Sequence, residues 1–260
     1  MSVLDLPEPA NWAHSGKLSL PVKLGVAVIL VFLVVEGLQA FFRGSYLTAA
    51  VWCATFGTPF LMGYVFFTAV RGGAQQRMTS DLSGLAFRPD KRLSIIYFAV
   101  MIVLVPAASV FAYLMSRGML DITTTPSMQI LMPPALWGLA LLAASAIVTG
   151  IRRRGVGYLK FTPAMIEIAN VIKTRALEWD DVVDVRDIAT EKKANRGGKA
   201  VVLCLRDSTE EVVGGLHFYV PGGAGLYWLV RHYWKHLEDR DELVDGRAPQ
   251  RLAEGKFDLG

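Results

Sequence analysis

His232 and His236 stand four residues apart in a stretch of helical periodicity, the spacing at which two imidazoles can share a metal ion, with His217 as the nearest source of a third ligand. A zinc hydrolase would carry a glutamate directly after the first histidine, and Tyr233 occupies that place. A solvated or interface-facing histidine pair is therefore expected, and no metal. Asp180, Asp181, Asp184 and Asp187 offer carboxyl groups for acid catalysis, but they alternate around an apolar strand and have no partner group, which describes a solvated face. Gly222-Gly-Ala-Gly225 runs into Leu226 and Tyr227, where a phosphate-binding loop needs Lys and Ser or Thr, so these glycines are expected only to open a helix. A Gly-x-Ser-x-Gly nucleophile elbow is absent as well. The reading is of a non-enzymatic chain, with no catalytic residues, no cofactor and no small-molecule substrate. Cys53 and Cys204 are too few for a disulfide framework or a metal quartet.

One further group has the right type and place for chemistry. Glu36 interrupts an apolar run, and Gln39 and Arg43 follow at steps of three and four, so the three share a helix face and form a polar ladder. The sharper alternative is a proton or ion relay, which lacks a second intramembrane acid, lysine or histidine to pass the proton on.

The elements that hold these residues follow from hydropathy. Leu24 to Phe42, Tyr46 to Val70, Leu93 to Met115 and Ile130 to Ile151 are each long enough to cross a hydrocarbon core of about 30 Å at about 1.5 Å per residue. The expectation is four transmembrane helices and no cleaved signal peptide. Lys and Arg outnumber Asp and Glu by 12 to 6 up to position 155, whereas beyond it they number 15 against 17. The basic excess thus sits beside apolar runs, where anionic lipid is the nearest partner, and nucleic acid is not expected. Lys17, Lys23, Arg71, Arg77, Arg88, Lys91, Arg92, Arg152, Arg153 and Arg154 fall on one side of the spans, with only Arg43 and Arg117 on the other. Both termini are therefore expected in the cytoplasm, at the inner membrane. Arg71, Arg77, Arg88, Lys91, Arg92, Arg152, Arg153 and Arg154 are also the candidate headgroup contacts.

Chain organisation reads as a cytoplasmic N-terminal segment (1–20), a four-helix membrane domain (21–154) with a basic cytoplasmic linker (71–92), a cytoplasmic α+β domain (155–240) and a polar, flexible tail (241–260). In the linker, Leu82, Leu85 and Phe87 are expected to dip into the headgroup boundary as an interfacial strap, although orientation alone also explains its charges. Pro59 and Pro106 lie mid-span, where a kink or a neighbouring helix must make good the lost backbone donor, and Pro133 and Pro134 are placed in the first turn of the last helix. After Arg154 the pattern alternates. Tyr158 to Phe161, Met165 to Ala169, Val182 to Ile188, Ala200 to Leu205 and Glu210 to Val220 have strand character, Glu191 to Lys199 reads as a mobile hairpin loop, and Gly222 to His236 makes an amphipathic helix to lay across the sheet.

The order Phe87-Arg-Pro-Asp-Lys-Arg92, an apolar hairpin, Tyr158-Leu-Lys-Phe-Thr-Pro163, Trp179-Asp-Asp-Val-Val183 and a closing amphipathic helix resembles bacterial membrane-anchored PH-like domain proteins over roughly Leu85 to Leu237. The resemblance implies a bent β-sheet or barrel capped by a C-terminal helix, used to bind proteins or lipid headgroups. Where such domains take phosphoinositides, the first hairpin here offers Lys160, Lys173 and Arg175. The chain is also similar to actinobacterial membrane proteins, among which MCE-type lipid importers carry accessory membrane subunits of comparable size. The implied role is an accessory or scaffold subunit of a larger integral membrane complex, with lipid-transporter permease subunits and membrane lipids as partners. The alternative is a small oligomeric transporter or channel, with Glu36 as its one acidic group.

Overall fold

A computed structural model of the chain describes residues 6–14, 20–64, 76–122, 125–153, 155–170, 173–191 and 199–258. Arg71, Arg154, most of the Glu191–Lys199 loop and the end of the second apolar run lie outside the described residues. The chain divides into two compact units, one of Leu18–Phe67 and Arg92–Arg154, the other of Met1–Lys17, Thr68–Lys91 and Gly155–Gly260.

The first unit is helical. Leu20–Phe42 runs without interruption, turns at Arg43-Gly44-Ser45 with Gly44 at φ 79°, and returns as Tyr46–Trp52. That returning helix widens into a π-turn over Cys53–Gly57 and continues through Tyr64. The π-turn lies just before Pro59, and the Thr58 hydroxyl donates to the Ala54 carbonyl at 2.8 Å, so a side chain satisfies backbone where the ring disturbs it. Gly37 lets the returning helix come close: a Cβ there would stand 3.3 Å from the Trp52 ring, whose Nε1 donates to the Leu33 carbonyl at 2.9 Å. Lys91–Ser116 and Pro126–Arg152 complete the unit, with Trp52, Phe111, Met115 and Leu136 in a shared apolar cluster.

Among the described residues, three helices, Lys23–Phe42, Lys91–Ser116 and Pro126–Arg152, are long and apolar enough to cross a membrane. Only 11% of the most apolar stretch of the first is buried inside the protein, so most of its side chains need hydrocarbon around them. One boundary is corrected. The last helix starts at Pro126, with Thr125 as its cap accepting from the Met128 N–H, so Pro133 and Pro134 stand in its interior and not in its first turn. Ser127 and Gln129 delay the apolar run by more than a turn and hide this start.

Among the described residues, the second unit has eight strands in two antiparallel sheets. Strands β1 (Arg77–Asp81), β2 (Gly84–Arg88), β3 (Tyr158–Phe161), β4 (Met165–Ala169) and β5 (Thr174–Glu178) form a five-stranded meander in that order. Strands β6 (Val182–Arg186), β7 (Ala200–Leu205) and β8 (Glu210–Gly214) make a three-stranded sheet. The alternation Leu85-x-Phe87, Leu159-x-Phe161, Ile166-x-Ile168 turns one face of the larger sheet inward. Val201, Leu203 and Val213 of the smaller sheet and Leu226 and Val230 of helix Ala224–Lys235 belong to the same core. The space they enclose with the larger sheet is closed to about 10 Å³, barely one water, too small to hold a ligand there.

Two expectations fail in this unit. The basic linker is not an interfacial strap: it supplies β1 and β2, and Leu85 and Phe87 are fully buried while Leu82 stands 92% exposed at the turn. Strand β2 pairs with β3, some seventy residues away in sequence, a partner that local pattern does not reveal. The tail is not loose to its end. Glu242–Asp245 and Arg247–Glu254 are helical, with Leu243, Ala248 and Leu252 fully buried, and Arg251 grips Glu242 with two contacts of 2.6 Å. The N-terminal segment adds to this core in a way that no local pattern signals. Leu6 and Trp12 enter the same core, Trp12 donates to the Ala200 carbonyl at 3.0 Å, Trp228 donates to Pro7, Asn11 donates twice to Asp187, and Glu8 pairs with Lys199.

Trp12 is 3% exposed, so replacing it leaves a void and an unpaired carbonyl. Trp12→Ala is expected to lower the stability of this unit by about 3–5 kcal/mol, read by chemical denaturation of the full chain in detergent; a loss under about 0.5 kcal/mol would show that the segment is not part of the core.

Candidate functional site

Inward alternation leaves the outer face of the β1–β4 region polar. Thr79, Ala86, Lys160 and Glu167 oppose one another across four strands, with Arg77 opposite Arg88 two residues to one side and Asp81 opposite Gly84 two residues to the other. Ala86 and Gly84 are small, and the longer residues around them make the walls of an open trough of about 300 Å³, lined by Thr79, Asp81, Ser83, Arg88, Tyr158, Lys160 and Glu167 among others. Gly84 has φ 128°, and a Cβ there would meet the Phe161 carbonyl oxygen at 2.5 Å, so the floor can carry no side chain at this point.

The trough is charged at both signs. Asp81 is held ionised below the usual carboxylate range, first by hydrogen bonds from the Ser83 hydroxyl and N–H and further by the field of Lys160. Tyr158 donates to Glu167 at 3.4 Å. Arg88, Lys160, Asp81 and Glu167 form no ion pair with any described residue, although other charged side chains of the unit do: Arg175 with Glu211, Arg186 with Asp184, Lys199 with Glu8.

Of the expected headgroup contacts, Arg77 and Arg88 meet as register partners. Lys91 and Arg92 open helix Lys91–Ser116, Arg152 ends helix Pro126–Arg152 and Arg153 caps it. The Glu36, Gln39, Arg43 ladder does not form. Arg43 pairs instead with Asp121 at 3.3 Å and donates to its carbonyl, while Ser45 donates to the Asp121 carboxylate and Thr48 accepts from its N–H, which ties the 43–45 turn to the loop after Ser116. Gln39 is exposed, and Glu36 Oε2 is enclosed without a hydrogen-bond partner. Beside it lies an apolar groove of about 550 Å³, lined by Leu33, Gly37, Phe41, Tyr46, Trp52 and Phe56 among others.

Three of the four aspartates at 180–187 have separate side-chain partners: Asp180 pairs with Arg240 at 3.6 Å, Asp184 with Arg186 at 2.7 Å, and Asp187 accepts from Asn11. His232 is buried, contrary to a solvated pair, and its Nε2 meets Asp239 at 2.9 Å; His236 lies against Glu238 and Asp258. Among the described residues no three His, Cys, Asp or Glu side chains are grouped to hold a metal ion. Sequence reasoning missed the trough because Asp81, Glu167 and Tyr158 are spread over three strands from distant parts of the chain. The available signal was a small residue, Ala86, at an outward position of a central strand.

No protein-family model, curated protein or solved structure matches this chain.

His217 supplies a pH test of the same unit. Burial, helped by the nearby Lys199 charge, lowers its pKa to about 4, and its Nε2 has no partner. The unfolded chain then binds a proton below about 6.5 that the folded one refuses, so this residue costs stability as pH falls from about 6.5 towards 4. His217→Gln is expected to flatten that part of the stability profile in denaturant titrations; an unchanged slope would mean that the imidazole is hydrated in the folded protein.

Proposed function

We propose that this chain is a non-enzymatic accessory or scaffold subunit of a membrane complex, anchored by four transmembrane helices with both ends in the cytoplasm, and that its PH-like sheet unit meets partners at the membrane surface. The observation that carries this reading is the composition of the sheet unit. Residues 6–14, 76–90 and 155–258 share one core, and apolar helices separate them in the chain. Segments that fold together lie on one side of a membrane, so the chain between them crosses it an even number of times. Helix Lys23–Phe42 then needs a returning span, for which the run from Tyr46 onward, helical through Tyr64, is the candidate, while Lys91–Ser116 and Pro126–Arg152 pair as the second hairpin. The Arg43–Asp121 contact supports the count, since it joins the two turns that would lie together on the far face. The excess of Lys and Arg on the other side favours the cytoplasm for the sheet unit.

The PH-like assignment is supported by two antiparallel sheets enclosing one core with helix Ala224–Lys235, whose Trp234 donates to the β6 carbonyl of Val182 at 2.9 Å. A closed interior and a polar outer face suit recognition at a surface better than conversion of a substrate. Lipid transport is the process we assign to the host complex, on the resemblance to accessory subunits of MCE-type importers. Extraction in gentle detergent followed by mass spectrometry of the native assembly is expected to recover permease subunits of a lipid transporter in fixed ratio with this chain. A protein that purifies alone after cross-linking in intact membranes would contradict the role.

A further inference from the structure

We propose that the trough over β1–β4 binds a small zwitterion, a phosphate and a primary ammonium joined by a short linker, the chemistry of a phosphoethanolamine head. Arg88 and Lys160 stand beside Asp81 and Glu167 around a floor of Gly84 and Ala86, and none of the four is ion-paired with a described residue. Two residues along a strand cover about 7 Å, so Asp81, the Lys160 row and Arg88 follow one another in steps of about that length. The trough is thus negative at the Ser83 turn and positive towards Arg88. A guanidinium offers a fork of donors that matches phosphate, Lys160 adds a point charge, and the ionised Asp81 carboxylate in the same trough can accept from an ammonium.

Charge balance selects the class of ligand. Two cations and two anions line one trough, so a polyanion such as an inositol phosphate meets the carboxylates, and a simple amine meets Arg88 and Lys160. A molecule that carries both signs satisfies both sets. The volume of about 300 Å³ is at the small end for ligand sites, which fits a headgroup and not a larger molecule. In sequence, Arg88 stands three residues before Lys91, where an apolar helix starts, and Tyr158 stands five after Arg153, which caps another. The inference rests on the reading above only in taking the sheet as a surface that faces headgroups, and co-purification of a host complex tests that reading separately.

The full chain in maltoside micelles is titrated with O-phosphoethanolamine and followed by saturation-transfer NMR, beside chains in discs of phosphatidylethanolamine or phosphatidylcholine whose retained lipid is counted by native mass spectrometry. Saturable binding of the free head is expected, weakened about tenfold or more by Lys160→Gln and by Ala86→Val, which fills the floor with a residue suited to a central strand. Binding confined to the intact ethanolamine lipid, and weakened by the same two changes, would support the trough with lipid as the source. Tighter binding of inositol phosphate, equal retention of choline lipid, binding indifferent to Ala86→Val in a chain of normal stability, or no binding in either format would overturn it.

Discussion

One apolar core built from three separated pieces of chain is the constraint on which the rest of the structure depends. Leu6 and Trp12 come from before the first apolar helix, Leu85 and Phe87 from between the second and third apolar runs, and the remainder from after the last. Each piece is useless alone: a two-stranded hairpin is marginal in water, and the Leu6–His14 segment has no regular structure beyond a short 3-10 turn. Together they bury aromatic and aliphatic side chains to near zero exposure. Folding of the polar unit is thereby tied to the path of the helices, and any arrangement that put one piece across a bilayer from the others would leave its apolar residues without partners.

The same constraint shapes what is left for function. Strands β1 and β2 turn Leu85 and Phe87 inward, so Thr79, Asp81, Ala86 and Arg88 must face out. Arg77 and Arg88 thus become neighbours at the end of the sheet from which the chain runs towards Lys91. The C-terminal helices add a second lock. Arg251 bridges Glu242 and Asp239, and Glu242 also accepts from the fully buried Tyr233, so the last turns of chain are held by buried polar pairing as well as by Leu243 and Leu252.

Much of the helical part was legible in the sequence. Three of the four apolar runs of hydrocarbon length, the Arg43-Gly44-Ser45 turn and the amphipathic Ala224–Lys235 helix are signalled by local composition and period, and the structure has them. Strands β3, β4, β6 and β7 were legible for the same reason, whereas β5 was missed and the strand reading of Glu210 to Val220 runs past β8 into a 3-10 turn at Leu216–Phe218. What escaped was non-local: β1 and β2 have charged residues between apolar ones, which reads equally as an interfacial strap until β3 is known to pair with them. Trp12 in a polar leader and Leu243, Ala248 and Leu252 in an acidic tail give no local sign of the core they join. Arg43 reaches Asp121 in place of Glu36, a contact between two turns that spacing along one helix face does not reveal. The candidate site was legible only as scattered charge, since its floor and walls come from four strands.

The core can be tested most directly by joining its two most distant pieces. Asn11 and Asp187 contact each other at 2.9 and 3.0 Å and belong to the first and last pieces of the chain. With Asn11→Cys and Asp187→Cys introduced in a chain lacking Cys53 and Cys204, mild oxidation of native membranes is expected to give an internal disulfide, seen as two fragments held together after proteolysis in the loop between Ser116 and Pro126. Fragments that separate without reductant, with the two cysteines labelled from opposite faces of the vesicle, would contradict the account.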